Sequence, residues 1–438
     1  MTMQAAPAKL SDEYDGRPGA VLARVQALYP KLIDLSLTRL QTLLARLGHP
    51  ERMLPPVIHV AGTNGKGSTC ANLRAVAEAA GLSVHVMTSP HLVDVTERFR
   101  IAGRLVSEDA LVSTLEEIER INAGAPITVF EVLTAAGFLL FSRTRADLAI
   151  VEVGLGGKLD ATNVIDRPSA CVITPVDLDH QSFLGETLAL IAAEKAGIIK
   201  PGIPVVSARQ KPEVRAVIVD RAQLLGAPLW SVDEEIFLTA SPARGTRAYR
   251  DPEGKLTLPE PALKGPHQEE NAALAVAALR ASGLALPDSA WSGISATRWP
   301  ARLQRLHGSL AQRLPQGWEL WLDGGHNPNA GEALAAAMSE WSDRPLHLAI
   351  GMKQSKDAEG FLRPVMRHAH SIHAICEEGQ HLALPVEDIV RASGGHARPG
   401  PRLADVMSRL EGPPGRLLVC GSLYLAGVVL RQDGTIPD

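Results

Sequence analysis

The stretch Val57-Ile58-His59-Val60-Ala61-Gly62-Thr63-Asn64-Gly65-Lys66-Gly67-Ser68-Thr69 decides how the rest of the chain is read. It opens as a β-branched apolar run, passes through three glycines, and continues from Cys70 to Ala80 as a helical pattern closed by Gly81. Strand, glycine loop and helix together make a phosphate cradle. Glycines let backbone N–H groups turn toward an anion, and the helix N-terminus adds partial positive charge. In such a loop Lys66 reaches the β- and γ-phosphates, and Ser68 or Thr69 contacts Mg²⁺. The generic pattern has Ser or Thr directly after the lysine and a glycine where Val60 stands; here Gly67 intervenes. The plain alternative is a glycine turn without a ligand, but that gives no packing reason for a lysine inside the loop.

A length of 438 residues suggests two domains, or three. Apolar content of 45% and charged content of 21% are those of a globular protein. A net charge of −4 gives bulk electrostatics no role in nucleic-acid binding. Cys70, Cys171, Cys376 and Cys420 lie far apart, forming neither a metal-ligand pair nor a disulfide framework, as in a reducing cytosol. Met1 to Gly16 is polar and mixed in charge, unlike a signal peptide. The longest apolar run, Leu417 to Leu430, is shorter than the ~18 residues that span a bilayer, and reads as strand then helix.

Outward from the glycine loop, several apolar runs end in polar groups. Val84 to Met87 runs into Thr88-Ser89-Pro90-His91, which is either a ligand-bearing strand end or a Ser-Pro turn. Leu148 to Val151 is continuous and apolar, as expected of a parallel strand covered on both faces, and ends at Glu152 before Gly154 and Gly156-Gly157. A carboxylate there is costly unless paired or on a metal, and in nucleotide-binding sheets this place holds the acid that orients Mg²⁺. Ala170 to Thr174 ends in Asp179-His180, where the histidine is either structural or a ligand. Four strand ends thus collect a phosphate loop, Ser89, Glu152 and His180.

Helical patterns are expected over 19–48, from Ser107 as cap to Ile121, over Thr128 to Phe141 with Glu131 inside, and over Glu186 to Lys200. Asp34 reads from the residues alone as an acid at a helix N-terminus. Lys195 falls within the apolar stripe of Leu188, Ile191, Ala192, Ile198 and Ile199. Periodicity alone favours snorkelling; the alternative is a neutral buried amine that traps CO₂ as a carbamate. Residues 240–262 read as loops or short hairpins, and His267 to Arg280 as a helix that starts with polar amides. Beyond 290–301 the β-α alternation restarts, with strands expected at 318–323, 346–350, 371–375 and 416–420, and helices at 328–341, 357–368, 386–393, 403–410 and 423–430. Asp323-Gly-Gly-His326-Asn-Pro is its polar strand end, either facing a nucleotide or only an N-capping turn.

These motifs carry a family resemblance over nearly the whole length. His59 to Thr69, Thr88 to Leu92, Glu152 to Asn163, Asp179 to Gly185, Ala192 to Lys200, Asp323 to Pro328 and Gly421 to Leu425 together resemble folylpolyglutamate synthase and dihydrofolate synthase, a branch of the Mur-ligase-like ATP-dependent amide ligases. Gly67 is similar to the folate branch, where cell-wall Mur ligases place Thr or Ser. Lys158, Ala301 and Ser36 depart from the common Arg, Gly and Gly.

The resemblance implies an α/β fold: an N-terminal P-loop Mur-ligase-like ATPase domain, 1–297, which also binds folate, and a smaller C-terminal Rossmann-like glutamate-ligase domain, 298–438. ATP lies between them. It implies that Gly62, Thr63, Asn64, Gly65, Lys66, Gly67, Ser68 and Thr69 hold phosphates, that Ser89, Glu152 and His180 bind Mg²⁺, with two ions in the family pattern, and that Asn271, Arg302, Asp323 and His326 meet the nucleotide. Lys195 matches the carbamylated lysine, which reverses the snorkelling reading, and Lys66, Lys195 and His180 become the catalytic group. Asp34, Leu35 and Ser36, then Thr128, Val129, Phe130 and Glu131, then Leu159, Asp160 and Ala161 match pterin-binding segments of bifunctional members. The implied activity is ATP-dependent addition of L-glutamate to dihydropteroate and to reduced folates through an acyl phosphate. Its alternatives are a monofunctional folylpolyglutamate synthase or a cell-wall Mur-type ligase. A GTPase would need an Asn-Lys-x-Asp segment, which is absent from the sequence. The expected protein is a cytoplasmic monomer with no nucleic-acid or membrane partner.

Overall fold

A computed structural model describes residues 14–29, 31 and 33–437. The expectation for Met1 to Gly16 falls almost wholly outside them.

The apolar runs form an eight-stranded sheet. Its strands are β1 (Val57–Ala61), β2 (Val84–Met87), β3 (Phe99–Ile101), β4 (Arg104–Leu105), β5 (Leu148–Glu152), β6 (Ala170–Ile173), β7 (Val205–Ser207) and β8 (Leu229–Ser231). Their order is β4-β3-β2-β5-β1-β6-β7-β8. The six strands from β2 to β8 in that order pair in parallel, and β3–β4 adds an antiparallel hairpin at one edge. All five residues of β1 and of β5 are buried, because helices cover both faces. On one face Ile58, Val60, Leu148 and Ile150 pack with Leu73 of helix Lys66–Ala79 and Leu274 of helix Pro266–Ala281. On the other, Val151 packs with Leu22, Leu40, Leu111 and Phe138 from four helices. Farther along that sheet, Ile173 and Val205 meet Ile191 and Val214.

Register then places the site. Val60 sits opposite Glu152 and Val172, and Met87 opposite Val151, so β1, β2, β5 and β6 end at one height. Their polar C-terminal neighbours therefore share one rim, where open α/β sheets bind ligands.

Residues 240–262 are more ordered than expected. A second sheet has order β11-β10-β9, with β9 (Phe237–Ala240), β10 (Thr246–Asp251) and β11 (Gly254–Pro259) all antiparallel. Its period is hidden because the inward side carries Arg247 and Asp251 beside Tyr249, with Asp251 neutralised by Arg280 at 2.8 Å. Asp34 is also corrected. Helix Thr38–Arg46 has no acid in its first turn, and Asp34 instead accepts from Tyr29 at 2.6 Å and pairs with Arg39 at 2.8 Å. The helix around Lys195 spans Leu188–Ala196, shorter than its pattern.

The third sheet has order β12-β13-β17-β14-β15-β16. It comprises β12 (Gln304–Leu306), β13 (Glu319–Leu322), β14 (Leu346–Ile350), β15 (Ser371–Ala374), β16 (Arg398–Pro399) and β17 (Arg416–Cys420). Only β12 runs antiparallel. The four strands expected here are present within a residue; β12 and β16, three and two residues long, carry too few positions to show a period. Helices Pro328–Met338, Ala358–Val365 and Val386–Ala392 cover one face through Leu334, Phe361 and Ile389, and helix Leu423–Asp433 covers the other through Leu425 and Val429. The architecture is therefore mixed α/β with two large sheets. Among the described residues no helix is long and apolar enough to cross a membrane.

Candidate active site

A cleft of ≈ 220 Å³ opens on the rim of the first sheet and is closed by loops of the third. All of the residues expected to meet phosphate, metal and nucleotide line it except Thr69. Thr69 is buried behind the loop, where its hydroxyl reaches Asn271 at 3.5 Å.

The glycines of the loop have steric reasons. Gly65 adopts φ +87°, and a methyl group there would lie 2.5 Å from the Asn271 side-chain oxygen. Gly67 has no room for a side chain either, because a methyl would lie 2.7 Å from Nε1 of Trp299. The residue that spoiled the generic pattern is therefore the seat of a tryptophan. Ser68 Oγ is buried at the start of the helix and has no hydrogen-bond partner. A buried hydroxyl at the positive end of a helix, left unpaired, suits a phosphate oxygen or a hydrated cation.

Two lysines converge on one carbonyl. Lys66 Nζ donates to the carbonyl oxygens of Gly62 and Thr63, both at 3.2 Å. Lys195 Nζ donates to the same Gly62 oxygen at 2.8 Å. Lys195 does not snorkel: it is only 4% exposed. Burial, and then the charge of Lys66, bring its pKa down to about 7. An amine so placed holds its proton far less tightly than one in water.

Glu152 is buried, and its Oε2 accepts the Ser89 amide at 3.2 Å. Burial raises its pKa, opposed by Lys66, the Ser89 amide, Arg302 and Arg98. His180 has an exposed side chain and a left-handed backbone at φ 53°, and its amide donates to its neighbour Asp179 at 2.8 Å. Among the described residues no three side chains of His, Cys, Asp and Glu gather as a metal cluster. Ser89, Glu152 and His180 line the same cleft, so a cation bound there by phosphate oxygens and water, as Mg²⁺ is in phosphoryl-transfer sites, would have these side chains within the lining.

On the opposite wall, Asp323 is engaged by backbone, accepting Leu303 N at 2.9 Å and Gly325 N at 2.7 Å. That fixes the loop carrying His326, whose Nδ1 is 3.0 Å from the Gly324 carbonyl and whose pKa is pushed to about 3 by burial and by Lys356. Arg302 donates to the Ala301 carbonyl at 2.8 Å, and Asn271 to Gln268 at 3.0 Å. Sequence reasoning missed His267, Gln268, Leu423 and Trp299. His267 lines the cleft with Nδ1 buried and unpaired, and the polar start of its helix was the available signal. The contact of Trp299 with Gly67 left no local signal.

None of the ten residues expected to bind pterin lines this cleft. Two of their segments are joined by Arg39, which bonds Asp34 at 2.8 Å and Glu131 at 3.1 Å. Glu131 and Thr128 form a reciprocal helix cap that leaves Glu131 Oε1 buried without a partner. Val129 is buried, whereas Phe130 lies against Gly154, leaving no room there for a Cβ, and borders a small cavity with Ser89, Thr134 and Glu152. Leu35 packs on the core around Ile191, and Ser36 is partly buried. Leu159 is exposed and Ala161 buried. Asp160 is committed to its own loop, accepting Leu155 N at 2.8 Å and Thr162 N at 2.9 Å.

Comparison with protein-family models finds no match. Among curated proteins the chain is similar to the dihydrofolate synthase/folylpolyglutamate synthase of Bacillus subtilis, 35% identical over 418 residues, which cover 90% of this chain and 94% of that one. Among solved structures it is similar to E. coli FolC in complex with DHPP and ADP, with a TM-score of 0.85, 34% identity, and 95% and 97% of the two chains covered. It is also similar to a bifunctional folylpolyglutamate synthase/dihydrofolate synthase with Mn, AMPPNP and L-glutamate bound, with a TM-score of 0.83, 30% identity, and 98% and 99% covered.

Proposed function

The chain belongs to the family of folylpolyglutamate and dihydrofolate synthases, and from that premise we propose that it is an ATP-dependent amide ligase joining L-glutamate to dihydropteroate and to reduced folates. The observation that carries the chemistry is the convergence of Lys66 and Lys195 on the Gly62 carbonyl, with the unpaired Ser68 hydroxyl and the buried Glu152 on the same cleft. An anion-binding loop with two amines and a carboxylate fits a nucleotide triphosphate with a divalent cation.

Bound MgATP supplies the phosphoryl group that makes the acceptor carboxylate electrophilic as an acyl phosphate, from which the amine of glutamate displaces phosphate. Lys66 leaves its loop carbonyls to offset charge on the transferring group. The amides of the Gly65–Ser68 turn and the Ser68 hydroxyl orient the phosphates. Ser89, Glu152 and His180 would hold the cation, and Asn271, Arg302, Asp323 and His326 would meet the nucleotide from the other wall. The buried amine of Lys195 would be the group to add CO₂ with loss of one proton, and the carbamate so formed would place an anion in the same cleft. The Asp34, Phe130 and Asp160 segments receive the pterin. On this reading residues 1–297 carry the phosphate and folate sites and residues 298–438 the opposite wall. The four described cysteines are all free, which supports a reducing cytosolic compartment.

Trp299 packs where a side chain at position 67 would stand, which supports the folate-branch glycine there over the Ser or Thr of cell-wall Mur ligases. The deciding experiment is ADP release with MgATP and L-glutamate, with dihydropteroate and tetrahydrofolate offered separately. Turnover with both is expected. Turnover with tetrahydrofolate alone makes the enzyme monofunctional and removes the pterin assignment, and turnover with neither refutes the folate reading.

A further inference from the structure

One desolvated ion pair bridges the first and third sheets across the cleft, while Leu92 and Val93 pack on the core of the third sheet. Lys356 Nζ lies 2.7 and 2.9 Å from the two oxygens of Asp179, with side chains only 11% and 13% exposed. Asn327 donates to the same carboxylate at 3.2 Å. Both arms are mounted on fixed structure. Asp177 and Thr63 exchange hydrogen bonds at 3.0 Å, so the segment bearing Asp179 rides on the phosphate loop. Lys356 precedes Asp357, the cap of helix Ala358–Val365, and Asn327 caps helix Pro328–Met338. Asn64 of the phosphate loop completes the contact, donating to Asn327 at 3.0 Å and to Asn329 at 2.7 Å. Among the described residues two longer pairs also join the two parts: His326 Nε2 stands 3.8 Å from the same Asp179 carboxylate, and Arg431 is 3.8 Å from Asp15 with both partners more than half exposed, a geometry that contributes little.

The carboxylate that takes Lys356 also accepts the amide of His180 at 2.8 Å. We infer that Lys356 is a positioning residue, closing the third sheet onto the cleft through Asp179 and so setting His180 and the phosphate loop opposite Arg302 and Asp323. The inference rests on the ligase reading for its kinetic part and on geometry alone for closure.

The full chain is compared as wild type, Lys356→Met, Lys356→Arg and the exchange Asp179→Lys/Lys356→Asp. Small-angle X-ray scattering, with and without Mg-AMPPNP, reads closure. Glutamate-dependent ADP release gives kcat and KM, and far-UV circular dichroism checks the fold. Lys356→Met is expected to enlarge the radius of gyration and to lower kcat about 100-fold, the scale of an ångström-level misplacement. Lys356→Arg keeps both close to wild type. The exchange regains the compact radius but not kcat, because a lysine at 179 cannot accept the His180 amide. A compact, active Lys356→Met protein overturns the inference, and an exchange variant with full kcat overturns the positioning role. A wild type that closes normally but releases no ADP refutes the ligase reading and leaves the closure standing.

Discussion

Trp299 covers Gly67 so closely that a single methyl group at position 67 would come 2.7 Å from the indole Nε1. The linker after the first sheet thereby fixes the residue type inside the phosphate loop. Gly67→Ala is expected to cost about 1–3 kcal/mol of stability by overpacking and to weaken nucleotide binding. Adding Trp299→Ala removes the clash and restores part of the affinity. Calorimetric titration with MgATP and thermal melts of the three proteins check this, and a Gly67→Ala protein with wild-type affinity contradicts it.

Ser68→Ala separates binding from stability. Its Oγ is buried and unpaired, so its loss leaves the melting temperature unchanged or higher. Affinity for MgATP falls about tenfold, the equivalent of one charge-assisted hydrogen bond.

Lys195→Ala is expected to lose most ligase activity and to regain some with a small added carboxylate. The stability of a Lys195→Met variant reports the amine itself. The folded pKa near 7 lies below the ordinary lysine value of 10.5, so the unfolded chain binds more protons between those values. In CO₂-free buffer wild type therefore gains on the variant as pH rises from 7 to 10, by at most about 1.4 kcal/mol per unit. A pH-independent difference means a charged lysine.

His347 forms an acid-sensitive point far from the cleft. Its Nδ1 is 2.8 Å from Ser371 Oγ, which is 3.0 Å from Nε2 of His373. Burial, with His370 and His373, lowers the His347 pKa from 6.5 to about 4. Its contribution to stability is complete above pH 6.5 and is lost as pH falls toward 4. Melting temperatures measured across that range fall less steeply for His347→Gln than for wild type.

The rim of the first sheet was legible because its strands are buried on both faces and end in polar groups, so apolar runs mark both the strands and the site. Lys195 was not legible from its stripe: the helix stops at Ala196 and its lysine turns inward to Gly62, a contact set by the neighbouring loop. Asp179 and Lys356 stand 177 residues apart, and no local pattern announces their pairing. Asp160 showed the opposite limit, since its motif is plain while its carboxylate bonds only its own loop.

The place of β1 between β5 and β6 also bears on how the chain is made. On the ribosome, Val57–Ala61 emerges long before Leu148–Glu152, its first sheet neighbour. Until then the glycine loop has no flanking strand to hold its amides in register, and closing so long a span is slow. Nucleotide therefore cannot chaperone a nascent fragment. It can reward only a chain whose central sheet is already assembled.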